Sequence, residues 1–119
     1  MSEEISIAGI GIAPEVLMTL IARAVEEVAG VASVGSRDLA ANLVSMLSAR
    51  KPSTEPAVEV SAQGEELCVR VRVTVFFGYR FQELASQVRA AVASAVDAQV
   101  GVGVSEVDVV IDGLVFPKE

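Results

Sequence analysis

The run from Leu67 to Phe77 constrains the fold most, because apolar residues recur there at every second position. This period belongs to a β-strand with one buried face. The face predicted to be buried carries Leu67, Val69, Val71, Val73, Val75 and Phe77. The opposite face carries Cys68, Arg70, Arg72, Thr74 and Phe76. A strand of this kind needs a second layer over its apolar face, so the chain must form a layered fold.

Two further runs show the same alternation. The stretch from Ala57 to Gln63 has an apolar face made of Val58, Val60 and Ala62. Gly64-Glu65-Glu66 between this stretch and Leu67 predicts a turn, so the two runs form a β-hairpin. Near the end of the chain, Val107, Val109 and Ile111 alternate with Asp108, Val110 and Asp112 and predict a last strand.

Two amphipathic helices are predicted to cover the sheet. The first begins at Pro14, which suits the first helical position, and stops before Gly30. Its apolar stripe consists of Val16, Leu17, Leu20, Ile21, Ala24, Val25 and Val28. The second runs from about Phe81 to Val100, and Gly101 and Gly103 end it. Its stripe consists of Leu84, Val88, Val92, Ala95 and Val96.

The remaining segments are less regular. Residues Ile5 to Ile12 predict a short bulged strand or a packed N-terminal arm, and Val31 to Val34 a brief extended piece. A further helix is predicted over Ser36 to Arg50, followed by a loop at Lys51 to Pro56. Together the elements predict one α+β domain over residues 1–119. It is a two-layer sandwich in which a small, mainly antiparallel sheet has the two main helices on one face.

The composition argues against several functions. The formal net charge of −7 opposes binding to nucleic acid or directly to anionic lipid, both of which favour basic surfaces. The chain has no histidine, and Cys68 is its only cysteine, so a disulfide or multi-cysteine metal site within the chain is excluded. No apolar run approaches the roughly 18 residues that span a bilayer, and the opening Met-Ser-Glu-Glu is unlike a secretory signal. We expect a cytoplasmic protein without direct membrane insertion.

The candidate catalytic features have simpler structural interpretations. Gly9-Ile10-Gly11 lacks the third glycine or the Lys-Ser/Thr pair of a nucleotide loop. Cys68 has no histidine to act as its base. Asp108 and Asp112 are expected to pair with Arg70 and Arg72 if their strands are neighbours, which would help to set the register. The sequence therefore predicts no catalytic residue, no metal site and no cofactor, and an enzyme would need a carboxylate cleft that the pattern does not show.

The aromatic residues are concentrated in one place. Phe76, Phe77, Tyr79 and Phe81 surround Gly78, and the alternation predicts Phe77 to point inward and Phe76 outward. Exposed aromatic residues beside arginines are typical of protein interfaces. The predicted interaction residues are Arg70, Arg72, Phe76 and Tyr79. An alternative is a module that binds a small ligand or RNA through the Arg70, Arg72 and Phe76 face.

Several segments are similar to one protein family. They are Ile12-Ala13-Pro14-Glu15-Val16, Glu27-Val28-Ala29-Gly30-Val31, Gly78-Tyr79, and the run from Val104 to Phe116. In this order and spacing the chain resembles the bacterial alkaline shock protein family, a general-stress or envelope-stress response family. The resemblance implies a small cytoplasmic protein without catalysis. It also implies self-assembly into a homo-oligomer and binding to a membrane-anchored protein during envelope stress.

Overall fold

The computed structural model describes residues 4–35 and 56–116. The predicted helix over Ser36 to Arg50 and all but the last residue of the predicted loop at Lys51 to Pro56 lie outside these ranges. The elements in chain order are β1 (Ile5–Ile7), β2 (Ile10–Ile12), α1 (Pro14–Glu26), β3 (Val31–Val34), β4 (Val58–Gln63), β5 (Glu66–Phe76), α2 (Phe81–Gln99) and β6 (Gly103–Val115).

The main sheet is built around β5. β4 pairs antiparallel with the first half of β5, from Gln63 opposite Glu66 to Val58 opposite Val71. β3 continues along the same edge, antiparallel to the second half of β5. β6 runs along the whole of the other edge and is parallel to β5. The predicted α+β fold with a mainly antiparallel sheet is therefore confirmed, with one parallel pairing.

Both helices pack on the same face of this sheet. The apolar residues of β5 are buried there, as are the inner faces of α1 and α2. The helix residues in this core are Leu17, Ile21, Val25, Leu84, Val88, Val92 and Val96. The predicted stripe of the first helix was wrong at Val16, which is 58% exposed. Val16 precedes Leu17 by about 100° around the helix, and that rotation takes it off the buried face.

The parallel pairing of β5 and β6 depends on α2. Parallel neighbours cannot be joined by a tight turn and need a long crossover, which the helix Phe81–Gln99 supplies. The parallel direction also decides where the two strands end. The C-terminal ends of β5 and β6 lie at the same end of the sheet, where Phe77 N–H donates a hydrogen bond to Val115 O at 2.7 Å.

The N-terminal segment is a hairpin, not the single bulged strand or arm predicted for Ile5 to Ile12. β1 pairs antiparallel with β2, with Ile7 opposite Ile10. The two residues between them, Ala8 and Gly9, have φ angles of 54° and 80°. Two successive positive φ angles are the geometry of a tight two-residue hairpin turn. Alanine rarely adopts this conformation, which is why the sequence did not indicate a turn here.

Candidate protein-interaction surface

The sheet face opposite the helices carries paired charges. Arg70 on β5 lies directly opposite Asp108 on β6, and its Nε is 3.7 Å from the Asp108 carboxylate. Arg72 lies opposite Val110, and its Nη1 is 3.9 Å from the carboxylate of Asp112, two residues farther along β6. The predicted pairing across the sheet is confirmed. Since each arginine has an acid beside it, this face is not a basic surface, and the geometry does not favour the RNA-binding alternative.

The Arg70–Asp108 pair should contribute little to stability. The two side chains are 47% and 54% exposed, so water screens their attraction. We expect a coupling free energy of about 0.2–1 kcal/mol between the two residues. It can be measured by urea unfolding of Arg70→Gln, Asp108→Asn and the double variant. A coupling of several kcal/mol would show that the pair is desolvated and not exposed to water.

Cys68 lies beside this pair on the same face and has polar neighbours. Its Sγ donates to Gln63 Oε1 at 2.9 Å and lies 3.2 Å from Ser105 Oγ. An open depression of about 270 Å³ borders it, with Glu59, Glu106 and Asp108 at its rim. Within residues 4–35 and 56–116, no three acidic or cysteine side chains form a group that could hold a metal ion.

The end of the sheet carries an exposed apolar surface that we call the corner patch. Its residues have exposed fractions between 41% and 65%, and they are Phe77, Tyr79, Phe81, Leu114, Val115 and Phe116. The rings of Phe77 and Phe116 stack with their centroids 4.8 Å apart. Phe77 is 57% exposed, so the prediction that it points inward was wrong. β5 ends at Phe76, and the alternation therefore no longer directs the next side chain into the core.

Three chain segments bring the corner patch together. Gly78, with a φ of 110°, turns the chain out of β5 and towards α2, which begins at Phe81. The end of β6 supplies Leu114 and Val115, and Phe116 follows directly after the strand. A shallow depression of about 400 Å³ lies in the patch, and among the described residues that line it Arg80 is the charged one.

The four predicted interaction residues fall on two surfaces. Arg70, Arg72 and Phe76 lie on the outer sheet face, whereas Tyr79 belongs to the corner patch. The sequence indicated the aromatic half of the patch but missed its second half, Leu114 to Phe116. The only signal was the apolar ending of the last strand. That signal becomes informative once β5 and β6 are known to be parallel.

A larger depression, of about 480 Å³, lies between α1 and the start of β4. Gly35 and Pro56 line it, and these two residues border the range 36–55 on either side. We assign no site to it, because the chain leaves and re-enters the described structure at its rim.

Comparisons with known proteins place this geometry in context. No curated protein sequence matches this one significantly. Among solved structures, MamM-CTD 215-293 is similar, with a TM-score of 0.48 and 16% identity over 83% of this chain and 96% of that chain. A MamM-CTD double variant has the same TM-score and identity, over 83% and 92% of the two chains. These similarities are weak.

The described helices include none that is both long and apolar enough to cross a bilayer.

The sequence matches the alkaline shock protein 23 family, described as having a cell envelope-related function, over residues 2–116. The match covers nearly the whole chain and agrees with the resemblance noted from its motifs. This protein therefore belongs to the alkaline shock protein 23 family, a family with a cell envelope-related function.

Proposed function

We propose that this protein is a non-catalytic, self-assembling stress-response protein of the cell envelope. It acts by binding a membrane-anchored protein partner. The observation that carries the proposal is the corner patch, an exposed cluster of three phenylalanines, a tyrosine and two aliphatic residues on a family member with an envelope-related function. Contiguous exposed apolar surface of this kind marks sites of protein association.

The composition of the corner patch suits a protein interface. Aromatic residues bury a large area with few rotatable bonds, and tyrosine and arginine are enriched among the residues that dominate binding free energy. Tyr79 and Arg80 lie beside Phe77 and Phe81 in the patch. Full burial of an exposed phenylalanine is worth roughly 1.5–3 kcal/mol in the hydrophobic term, and these side chains are about half exposed, so several must be covered together to offset the cost of association.

The polar surface supports a non-catalytic role. The carboxylates of Asp108 and Asp112 each lie beside an arginine, and Cys68 is hydrogen-bonded to polar neighbours. Without a histidine in the chain, none of these groups has the usual partner for proton transfer. Recognition by surface complementarity needs no such group.

The charge of the chain supports membrane association through a partner. A net charge of −7 repels the anionic cytoplasmic leaflet, so an apolar surface on this protein is better matched to another protein than to lipid. In this proposal the protein is cytoplasmic and reaches the envelope only through its membrane-anchored partner.

The proposal is tested by a variant that makes the corner patch polar. We expect wild-type protein at micromolar concentration to show a molar mass above that of one chain by light scattering. It should also capture a membrane protein from detergent-solubilised native membranes. Phe77→Ser together with Phe116→Ser should abolish both properties, because the stacked pair forms the most exposed part of the patch.

Val16→Ser is the matched control, since Val16 is as exposed as Phe77 but lies on α1, outside the patch. It should behave as the wild type. Circular dichroism of all three proteins verifies that the fold is kept. A wild type that is strictly monomeric and captures nothing would contradict the proposal, as would a double variant that still assembles and captures.

A further inference from the structure

The outer edge of β6 is a second surface, distinct from the corner patch. β6 is 13 residues long and pairs with β5 along one side. In the part of the chain that the structure describes, no strand pairs with its other side. The register with β5 is unbroken from Glu106 to Ile111, between two shifts that bulge the strand. This six-residue stretch is the regular part of an open sheet edge.

One hydrogen bond shows which main-chain groups point outward from this edge. Arg89 on α2 donates its Nε–H to Val107 O at 3.3 Å, so the Val107 carbonyl faces away from β5. The N–H and C=O groups of successive residues in a strand point to opposite sides. Those of Val109 and Ile111 therefore point outward, as those of Val107 do. The groups of Asp108 and Val110 then face β5. The edge therefore presents a ladder of donors and acceptors with a period of two residues.

The side chains beneath the edge have no outer neighbour among the strands of residues 4–35 and 56–116. On β5, Val69, Val71 and Val73 are at most 3% exposed. Their partners on β6, in the same apolar row, are only half-buried; they are Val107, Val109 and Ile111. The row is the same and the helices lie on the same face, so the difference arises because β6 has a neighbour on one side only among the described strands. A strand added at the edge would cover this apolar row.

The side chains above the edge are acidic. Glu106, Asp108 and Asp112 are exposed on the face opposite the helices. Arg70 and Arg72 approach two of these carboxylates from the β5 side. A carboxylate accepts from several directions, which leaves the outer side of each one available to a cation on the next strand, about 4.8 Å farther out.

We propose that the β6 edge binds an extended segment of a partner protein in which apolar residues alternate with Lys or Arg. The segment would pair with the outward main-chain groups of Val107, Val109 and Ile111. The Val107 carbonyl has two lone pairs, so it can accept from the segment while it accepts from Arg89. It would set its apolar residues beside these side chains and its cations beside Glu106 and Asp108. Addition of a strand to an open edge is an established mode of peptide recognition.

A second copy of this chain fits the edge less well. Two β6 strands paired antiparallel about Val110 would place Asp108 of each copy opposite Asp112 of the other. Like charges directly opposite one another destabilise a strand pair.

The inference rests on the proposed function in one respect, the membrane-anchored nature of the partner. The cytoplasmic loops of membrane proteins carry an excess of Lys and Arg, which supplies the cations that such a segment needs.

The test uses a capped, labelled nine-residue peptide of alternating Val and Lys, with the full-length protein. We expect saturable binding by fluorescence anisotropy at low salt. Hydrogen exchange followed by NMR should show new protection of the amides of Val107, Val109 and Ile111. The amides of Asp108 and Val110, which face β5, should change little. Glu106→Lys should weaken binding up to about fivefold, the equivalent of one unfavourable cross-strand pair.

Two control peptides separate pairing from simple charge attraction. One has the same composition with Val and Lys in separate blocks, and the other has Glu in place of Lys. Both should bind at least tenfold more weakly. The Phe77→Ser and Phe116→Ser double variant should bind the alternating peptide as the wild type does, so this test can fail or succeed independently of the proposed function.

Equal binding of the block peptide, or binding without new protection at Val107, Val109 and Ile111, would overturn the inference. So would protection of these amides that appears without peptide as the protein concentration rises, because a second copy would then occupy the edge.

Discussion

Leu17→Ala should lower the free energy of unfolding by about 3–5 kcal/mol. Leu17 is completely buried in the core between α1 and the sheet. Removing its branched end takes away apolar contacts and leaves a cavity that rigid neighbours fill only in part. The quantity is measured by urea unfolding followed by circular dichroism. Wild type and variant must be compared at one protein concentration, because self-assembly makes apparent stability depend on it.

The adjacent residue provides the control for this measurement. Val16→Ala alters the same helix at a position 58% exposed to solvent, and we expect a change within about 0.5 kcal/mol. Comparable losses from the two variants would contradict the orientation of α1 and would restore the sequence prediction that Val16 belongs to the buried stripe.

Gly30→Ala should also be strongly destabilising, by roughly 2–5 kcal/mol. Gly30 has a φ of 99°, a region that costs other residues about 1–2 kcal/mol. A Cβ there would lie 2.6 Å from Leu84 Cδ2 and 2.8 Å from the ring of Tyr79. Overpacking of this kind typically costs a further 1–3 kcal/mol. Movement away from the new methyl group is also resisted by the main chain, since Phe76 N–H donates to Gly30 O at 2.8 Å.

Gly101→Ala separates the two contributions in the same unfolding assay. Gly101 has a φ of 87°, but a Cβ at this position would meet nothing within 4 Å. Only the backbone cost remains, so the loss should be about 1–2 kcal/mol. Equal losses from the two variants would mean that Tyr79 swings aside at little cost. In that case Gly30→Ala would alter the corner patch more than the core.

The link between Gly30 and Tyr79 connects the core to the proposed interface. Tyr79 is about half exposed, and the other side of its ring packs over Gly30, where a larger residue has no room. The tyrosine therefore has a defined position before any partner arrives. An anchor residue held in place in this way loses less conformational entropy on binding.

The two proposed surfaces would stabilise a complex through different kinds of interaction. The corner patch would contribute hydrophobic burial, which is non-directional and tolerates variation in the partner. The β6 edge would contribute main-chain hydrogen bonds, which set direction and register, and charges that discriminate against another copy of the acidic chain. Because the variants proposed for one surface leave the other unchanged, their contributions can be measured separately.

The amino-acid sequence by itself determined which faces of β5 and α2 are buried. Apolar residues recur with a period of two along Leu67 to Val75 and with a helical period from Leu84 to Val96. Each pattern allows one arrangement that removes the apolar side chains from water, and the structure has both arrangements. The charge pattern likewise indicated the pairing of Arg70 and Arg72 with Asp108 and Asp112, provided that their strands were neighbours.

Only the tertiary structure decided that β6 is that neighbour and that it runs parallel to β5. Periodicity is a local property and is the same whichever strand lies alongside and in whichever direction. The choice depends on how α2 crosses the sheet, and it brings Phe77 and Phe116 together from distant parts of the chain. The corner patch and the β6 edge both follow from that crossover. Strand order decides which strand ends meet and which edge has no partner among the described strands.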